Sequence, residues 1–257
     1  MAAYESFAEV YDLFMDNVPY DAWKDNLLGI LTRYKITEGL VAELGCGTGK
    51  MTRRLAGAGY DMIGIDNSYE MLGIAMEHPT EGILYLCQDM RAFELYGTVA
   101  AVVSVCDSMN YIVDYTDLVE VIRLVNNYLD PDGIFVFDMN TTYKYRSQLA
   151  DNTFAENREQ GSFIWENTFD EMSGINEYDL TLYIQDEEDP DYFMRFEEVH
   201  YQRAYEIEEI KKALREGGMD LLEIIDADTM AGVSEETERI YVIAREVGKK
   251  RITDECI

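Results

Sequence analysis

The sequence predicts an α/β protein: a doubly wound, seven-stranded, mostly parallel sheet with an antiparallel β lid inserted late in the chain. Three observations predict it. Apolar strand-like runs alternate with amphipathic helical stretches over 40–140, the rhythm of right-handed β-α-β units. A glycine-dense loop, "LGCGTG" (44–49), follows the first of those runs. After about residue 150 the hydrophobic period changes from 3.6 to 2.

The elements follow in order. Residues 3–16 and 20–35 read as helices, with Phe7, Val10, Tyr11 and Phe14, then Trp23, Leu27, Leu28 and Leu31, at helical spacing around Pro19. "LVAEL" (40–44) is a buried strand, 48–59 a helix that stops at glycine, and 60–66 the second strand. A helix over 68–78 takes Ser68 as its N-cap. Strands over 82–90 and 99–107 precede a long helix, 114–133, closed by Pro131 and Gly133, and a fifth strand, 134–140. Then 163–185 forms two strands turned at Ser173 and Gly174, and 192–205 a third after the turn at Asp189 and Pro190. A helix (206–218) and strands 219–226 and 239–247 complete the main sheet. This divides the chain into a body (1–150 and 205–257, with 1–36 as a helical cover) and an antiparallel insert (151–204).

The 257 residues hold 51 acidic and 21 basic side chains, a net charge of −30. Such a surface repels phosphate backbones and anionic membranes, so neither is an expected partner. The one compact basic patch, "GKKR" at 248–251, reads as a solvated tail. The N-terminal stretch carries acids and no base, and no run approaches 18 apolar residues; a cytoplasmic protein is expected. Cysteines 46, 87, 106 and 256 make no CxxC pair, and three lie in apolar runs that read as reduced core thiols. With two histidines, His78 and His200, no metal centre is expected.

The glycine loop decides among nucleotide-handling corners. A Walker loop fails at Leu44 and Met51, and the dinucleotide fingerprint fails at Lys50. What stands is Glu43, Gly45, Gly47 and Gly49 in E-x-G-x-G-x-G. Asp66 ends the second strand in "GIDNSYEML"; "CQDM" places Asp89 and Met90 after the third; "VSVCDSMNYI" (103–112) ends the fourth. Together these segments resemble the class I S-adenosylmethionine-dependent methyltransferases. "EVYDLFM" (9–15) with Tyr20, and 197–219, are similar to the cover helices and lid return of the small-molecule branch, which includes amino-sugar N-methyltransferases.

The resemblance implies a Rossmann-like fold with S-adenosylmethionine as cofactor. It assigns Glu43 to the ammonium end of the cofactor, Gly45, Gly47 and Gly49 to close backbone approach, and Asp66 to the ribose hydroxyls. Asp89 and Met90 clasp the adenine, while Tyr20, Cys46, Asn67, Met71, Val105 and Cys106 complete the binding wall. A hydroxyl acceptor needs a general base and a deprotonated amine does not; His200 and Tyr111 are the catalytic candidates, and Asp107, Trp165 and Tyr201 the substrate candidates. Residue types alone also allow His200 a lid hydrogen bond and Trp165 a place in an aromatic core. The expected activity is methyl transfer to a small molecule, an amine foremost. A protein or ribosomal acceptor, and a non-catalytic cofactor-binding module, are the alternatives. An aromatic-rich antiparallel sheet also offers a surface for a homodimer.

Overall fold

The computed structural model describes residues 8–186 and 188–249. Helix α1 (Ala8–Phe14) and helix α2 (Tyr20–Arg33) are followed by strand β1 (Leu40–Leu44), α3 (Lys50–Gly57), β2 (Asp61–Asp66), α4 (Tyr69–Met76), β3 (Ile83–Cys87) and β4 (Val99–Ser104). Then come α5 (Tyr115–Tyr128), β5 (Leu129–Asn140), and an inserted run of four strands: β6 (Thr153–Asn157), β7 (Gly161–Asp170), β8 (Ile175–Gln185) and β9 (Phe193–Arg203). Helix α6 (Ile207–Glu216), β10 (Met219–Asp226) and β11 (Arg239–Glu246) return to the body. Residues 3–7 of the first expected helix, and Cys256, lie outside the described residues.

The main sheet runs β10-β11-β5-β4-β1-β2-β3. Its five β-α-β strands are parallel, and β11 is antiparallel to both β5 and β10. Apolar stripes cover both faces. Leu27, Ile30 and Leu31 of α2 pack on one side with Val41, Met62 and Val103. Val121, Ile122 and Val125 of α5, with Ile210 and Leu214 of α6, pack on the other with Phe135 and Val242. Ser68 caps α4 as expected, accepting from Met71 N at 3.1 Å.

Three expectations need correction. The helix over 114–133 stops at Tyr128, and Leu129 is already extended (φ −73°, ψ 147°). Pro131 explains this: the residue before a proline is pushed out of the α region, so the strand starts ahead of it. The insert has four strands, not three; β6 is short, alternates exposed with half-buried residues and carries little apolar signal. Lys249 is not a solvated tail residue: its ammonium donates to the carbonyls of Asn126 and Asn127 at 2.8 Å and to that of Leu129, closing the end of α5.

The antiparallel sheet, ordered β6-β7-β8-β9, buries Leu180, Leu182 and Ile184 against Val10 and Phe14 of α1. One face of α1 thus holds the insert. Its Asp12 accepts from Thr48 Oγ1 at 2.8 Å and pairs with Lys50 at 3.2 Å, tying the helix to the glycine loop. Among the described residues no helix is long and apolar enough to cross a membrane.

Candidate active site

The strand order reverses between β1 and β4, so the loops leaving their carboxyl ends diverge and open a crevice, the ligand position of open α/β sheets. A cavity of about 240 Å³ lies there. The turn after β1 holds Gly45, Gly47 and Gly49 at φ +70°, +52° and +74°, a region that favours glycine. A Cβ at Gly45 would stand 2.5 Å from Ser108 Oγ, whereas one at Gly47 would meet no heavy atom within 4 Å. Gly47 lines the cavity, so the space its side chain lacks is left open to a ligand.

Glu43 is buried at the cavity floor and accepts a hydrogen bond from Thr52 Oγ1. Burial pushes its carboxyl up to about 8, against the lowering effect of that bond. Asp66 also lines the cavity and accepts from Gly47 N at 2.8 Å and Ser68 N at 2.9 Å. Burial raises its carboxyl, and these backbone donors pull the other way. Asp89 is held by Arg91, whose Nε donates to both carboxylate oxygens at 3.0 Å. That guanidinium holds Asp89 below the usual carboxylate range.

Of the expected cofactor residues, Tyr20, Cys46, Asn67, Met71, Met90, Val105 and Cys106 line this cavity with Glu43, Gly45, Gly47, Asp66 and Asp89. Gly49 does not: it starts α3 and faces Tyr85. Tyr11, which by type suits either a cofactor contact or a helix core stripe, lines it too, and Thr48, Lys50, Gln88 and Arg91 line it unanticipated. Thr48 and Lys50 sit inside the glycine motif and were legible; Arg91 had no motif to mark it. Of the three thiols expected in the core, Cys87 departs from that expectation, and Cys46 and Cys106 take the places in the binding wall that the resemblance implied. Cys46 and Cys106 face the cavity, and Cys87 is exposed at the end of β3. Burial raises both cavity thiols, Cys106 to about 12, so neither is a nucleophile at neutral pH.

The catalytic and substrate candidates separate. Tyr111 lines the cavity. His200 lies behind it, 4 % exposed, with its ring edge-on to Tyr111 at 6.0 Å between centroids. Its Nε2 is 3.0 Å from the carboxylate of Glu198, itself 3 % exposed. Glu198, His200 and Gln202 share the inward face of β9, so Tyr201 must face outward, and it is 48 % exposed. Asp107 is engaged within the protein: Arg239 Nη2 donates to one oxygen at 2.9 Å and Gln202 Nε2 to the other at 2.7 Å. Trp165 belongs to the aromatic core, tilted against Phe154 at 5.0 Å and edge-on to Tyr178 at 4.8 Å between centroids. Asp107, Trp165 and Tyr201 do not line the cavity.

Comparison with known proteins agrees with this geometry. A family model described as a methyltransferase domain matches residues 41–133. "Putative methyltransferase YqeM" of Bacillus subtilis (strain 168) is 35 % identical over 247 residues, covering 94 % of this chain and 96 % of that one. A crystal structure of an S-adenosylmethionine-dependent methyltransferase from Clostridium acetobutylicum superposes with a TM-score of 0.83 at 29 % identity, covering 96 % of this chain and all of the other. The chain belongs to the S-adenosylmethionine-dependent methyltransferases. A dTDP-3-amino-3,6-dideoxy-alpha-D-glucopyranose N,N-dimethyltransferase of Streptomyces fradiae is 26 % identical over 133 residues, 51 % of this methyltransferase and 52 % of that one. The seven-stranded sheet with its separate antiparallel sheet is the Rossmann-like arrangement expected of this family.

Proposed function

We propose that the protein methylates the nitrogen of a small amine-bearing acceptor, which it receives beneath the antiparallel sheet. The observation that carries this reading is the buried His200–Glu198 pair standing one aromatic ring behind the cofactor cavity. A buried carboxylate beside an imidazole stabilises the imidazolium, so the pair suits a proton coming off an ammonium acceptor. The amino-sugar substrate in the name of the Streptomyces fradiae relative supports an amine, and the net charge of −30 supports a cationic ligand over a nucleic acid.

When bound, S-adenosylmethionine supplies an electrophilic methyl group on a sulfonium sulfur. In this reading Glu43 faces its ammonium end, Asp66 takes the ribose hydroxyls, and Asp89 with Met90 borders the adenine. Gly47 leaves room for the close approach. His200 receives the acceptor's proton by relay past Tyr111, and Glu198 stands beside the ring at 3.0 Å. Tyr111 lines the end of the cavity where the acceptor nitrogen would meet the methyl group. The four-stranded sheet closes the acceptor side against water, as a lid.

The test is transfer of a labelled methyl group to a panel of amines, amino sugars and nucleotide-linked amino sugars, with matched alcohols and basic ribosomal proteins as competitors. An amine should be the methylated product. His200→Gln should lower kcat by about 10²-fold, the usual contribution of a general base, with S-adenosylhomocysteine affinity unchanged within twofold. Methylation confined to protein acceptors, or a His200→Gln variant as fast as the parent across the pH range, would refute the reading.

A further inference from the structure

The turn that follows β4 is held in a costly conformation. Cys106 and Asp107 are consecutive non-glycine residues in the left-handed region, at φ +63° and +52°. Such residues are strained and persist only where surrounding groups over-determine them. Here the surrounding groups form a closed chain. The carboxylate of Asp138, fully buried on β5, accepts from Cys106 N at 3.1 Å and Asp107 N at 2.7 Å. Arg239 of β11 divides its guanidinium between Asp138 at 2.6 Å and Asp107 at 2.9 Å. Burial opposes the charge on Arg239, and the two carboxylates outweigh it, keeping the cation.

The last link comes from the other sheet. Gln202 is 1 % exposed on β9. Its Oε1 accepts from Tyr145 at 2.7 Å and Tyr178 at 2.5 Å, and both donors are phenols. The Asp107 carboxylate can only accept, which orients the amide: Nε2 donates to Asp107 Oδ2 at 2.7 Å and Oε1 takes the two phenols. Lys144, which donates to Asn140 Oδ1 at 3.0 Å, and Glu238, whose charge acts on Lys144, are further charged groups beside this network. Val105, Cys106, Ser108 and Tyr111, on and around the turn, line the cofactor cavity.

We infer that Gln202 is a positioning residue: through Asp107 it holds the 106–107 turn, so that the antiparallel sheet sets the shape of one wall of the cofactor cavity. An apolar residue at 202 would remove the amide that donates to Asp107 Oδ2, a loss that falls on the turn. The inference deepens the assignment of this cavity to the cofactor and rests on it.

The test compares the full chain with Gln202→Leu and Gln202→Glu. Two readouts are used: hydrogen exchange in peptides spanning 105–111, and S-adenosylhomocysteine affinity by calorimetry. Gln202→Leu should speed exchange there at least tenfold and weaken the ligand at least threefold, while exchange in 134–137 stays unchanged. Gln202→Glu faces the Asp107 carboxylate at hydrogen-bond distance, and the two must share a proton. That variant should resemble wild type near pH 6 and the leucine variant near pH 8.5, a crossover that a purely structural defect would not produce. Exchange and affinity within twofold of wild type in Gln202→Leu, or no pH dependence in Gln202→Glu beyond that of wild type, overturns the inference. If wild type itself does not bind S-adenosylhomocysteine, the cofactor assignment falls instead, and the exchange readout still decides the coupling.

Discussion

Glu43 controls the proton balance of the cofactor cavity. Burial moves its carboxyl from an ordinary 4.5 to about 8, so the ligand-free protein holds it protonated at pH 7. The folded value lies above the unfolded one, and the folded state therefore binds the extra proton. Its stabilising contribution is complete below pH 4.5 and is lost as pH rises through about 8. A ligand bearing an ammonium group reverses that preference, because it needs the carboxylate and must expel the proton. Binding of S-adenosylhomocysteine should then tighten by about fifty-fold from pH 6 to pH 8, as the ionised fraction of Glu43 rises. Calorimetry at pH 7 in buffers of different ionisation heat should register a proton released, and Glu43→Gln should abolish both effects. A wild-type affinity flat over that range would mean that Glu43 is ionised before the ligand arrives. At this scale the sequence was informative where chemistry is encoded locally. Gly45, Gly47 and Asp66 lie within 22 positions of one another, and each is marked by a motif or a strand end. It was uninformative where a partner comes from far along the chain. Asp107 reads as an available acid until Arg239, 132 positions later, is folded against it.

At the scale of elements, β2 and β3 are fitted to each other by an absence. Gly64 lies opposite Tyr85 in the parallel register, and a Cβ there would come within 2.7 Å of the Tyr85 ring and 3.0 Å of Cys46 Sγ. The same ring faces Gly49, so one tyrosine packs strand β2 and the start of α3 together. Gly64→Ala should destabilise the fold by about 1–3 kcal/mol through overpacking, measured by urea denaturation. Tyr85→Leu in the same chain should return most of that loss, since it removes the ring that the methyl group strikes. Additive losses in the double variant would show that the ring is free to move aside. The β-α-β elements were readable because each strand is a continuous apolar run and each helix has a stripe or a cap, as with Ser68 on α4. Strand β6 escaped notice because Thr153, Ala155 and Asn157 give little alternation, and its pairing is fixed by β7 across a turn. Parity also matters here. Choosing between His200 and Tyr201 required knowing which face of β9 meets the body, and both residues suit a site by type.

The whole molecule carries a net charge of −30, and that single quantity acts on two properties in opposite senses. Self-repulsion among surface carboxylates destabilises the compact state, and salt relieves it because the Debye length falls from about 10 Å at 0.1 M to about 3 Å at 1 M. The same field draws a cationic acceptor toward the crevice, and salt weakens that attraction. Raising sodium chloride from 0.05 to 0.5 M should therefore increase Tm by a few degrees while lowering kcat/KM for an ammonium acceptor several-fold. The loss should lie in KM, because screening acts on encounter and leaves the buried groups around His200 untouched. A neutral acceptor of similar size supplies the control: its kcat/KM should follow stability alone and stay level while the fold is intact. The two arms separate the fold from the ligand. A Tm that does not rise with salt would show that the carboxylates are already compensated locally, as Asp89 is by Arg91. Equal salt sensitivity for charged and neutral acceptors would remove electrostatic attraction from the account of acceptor choice.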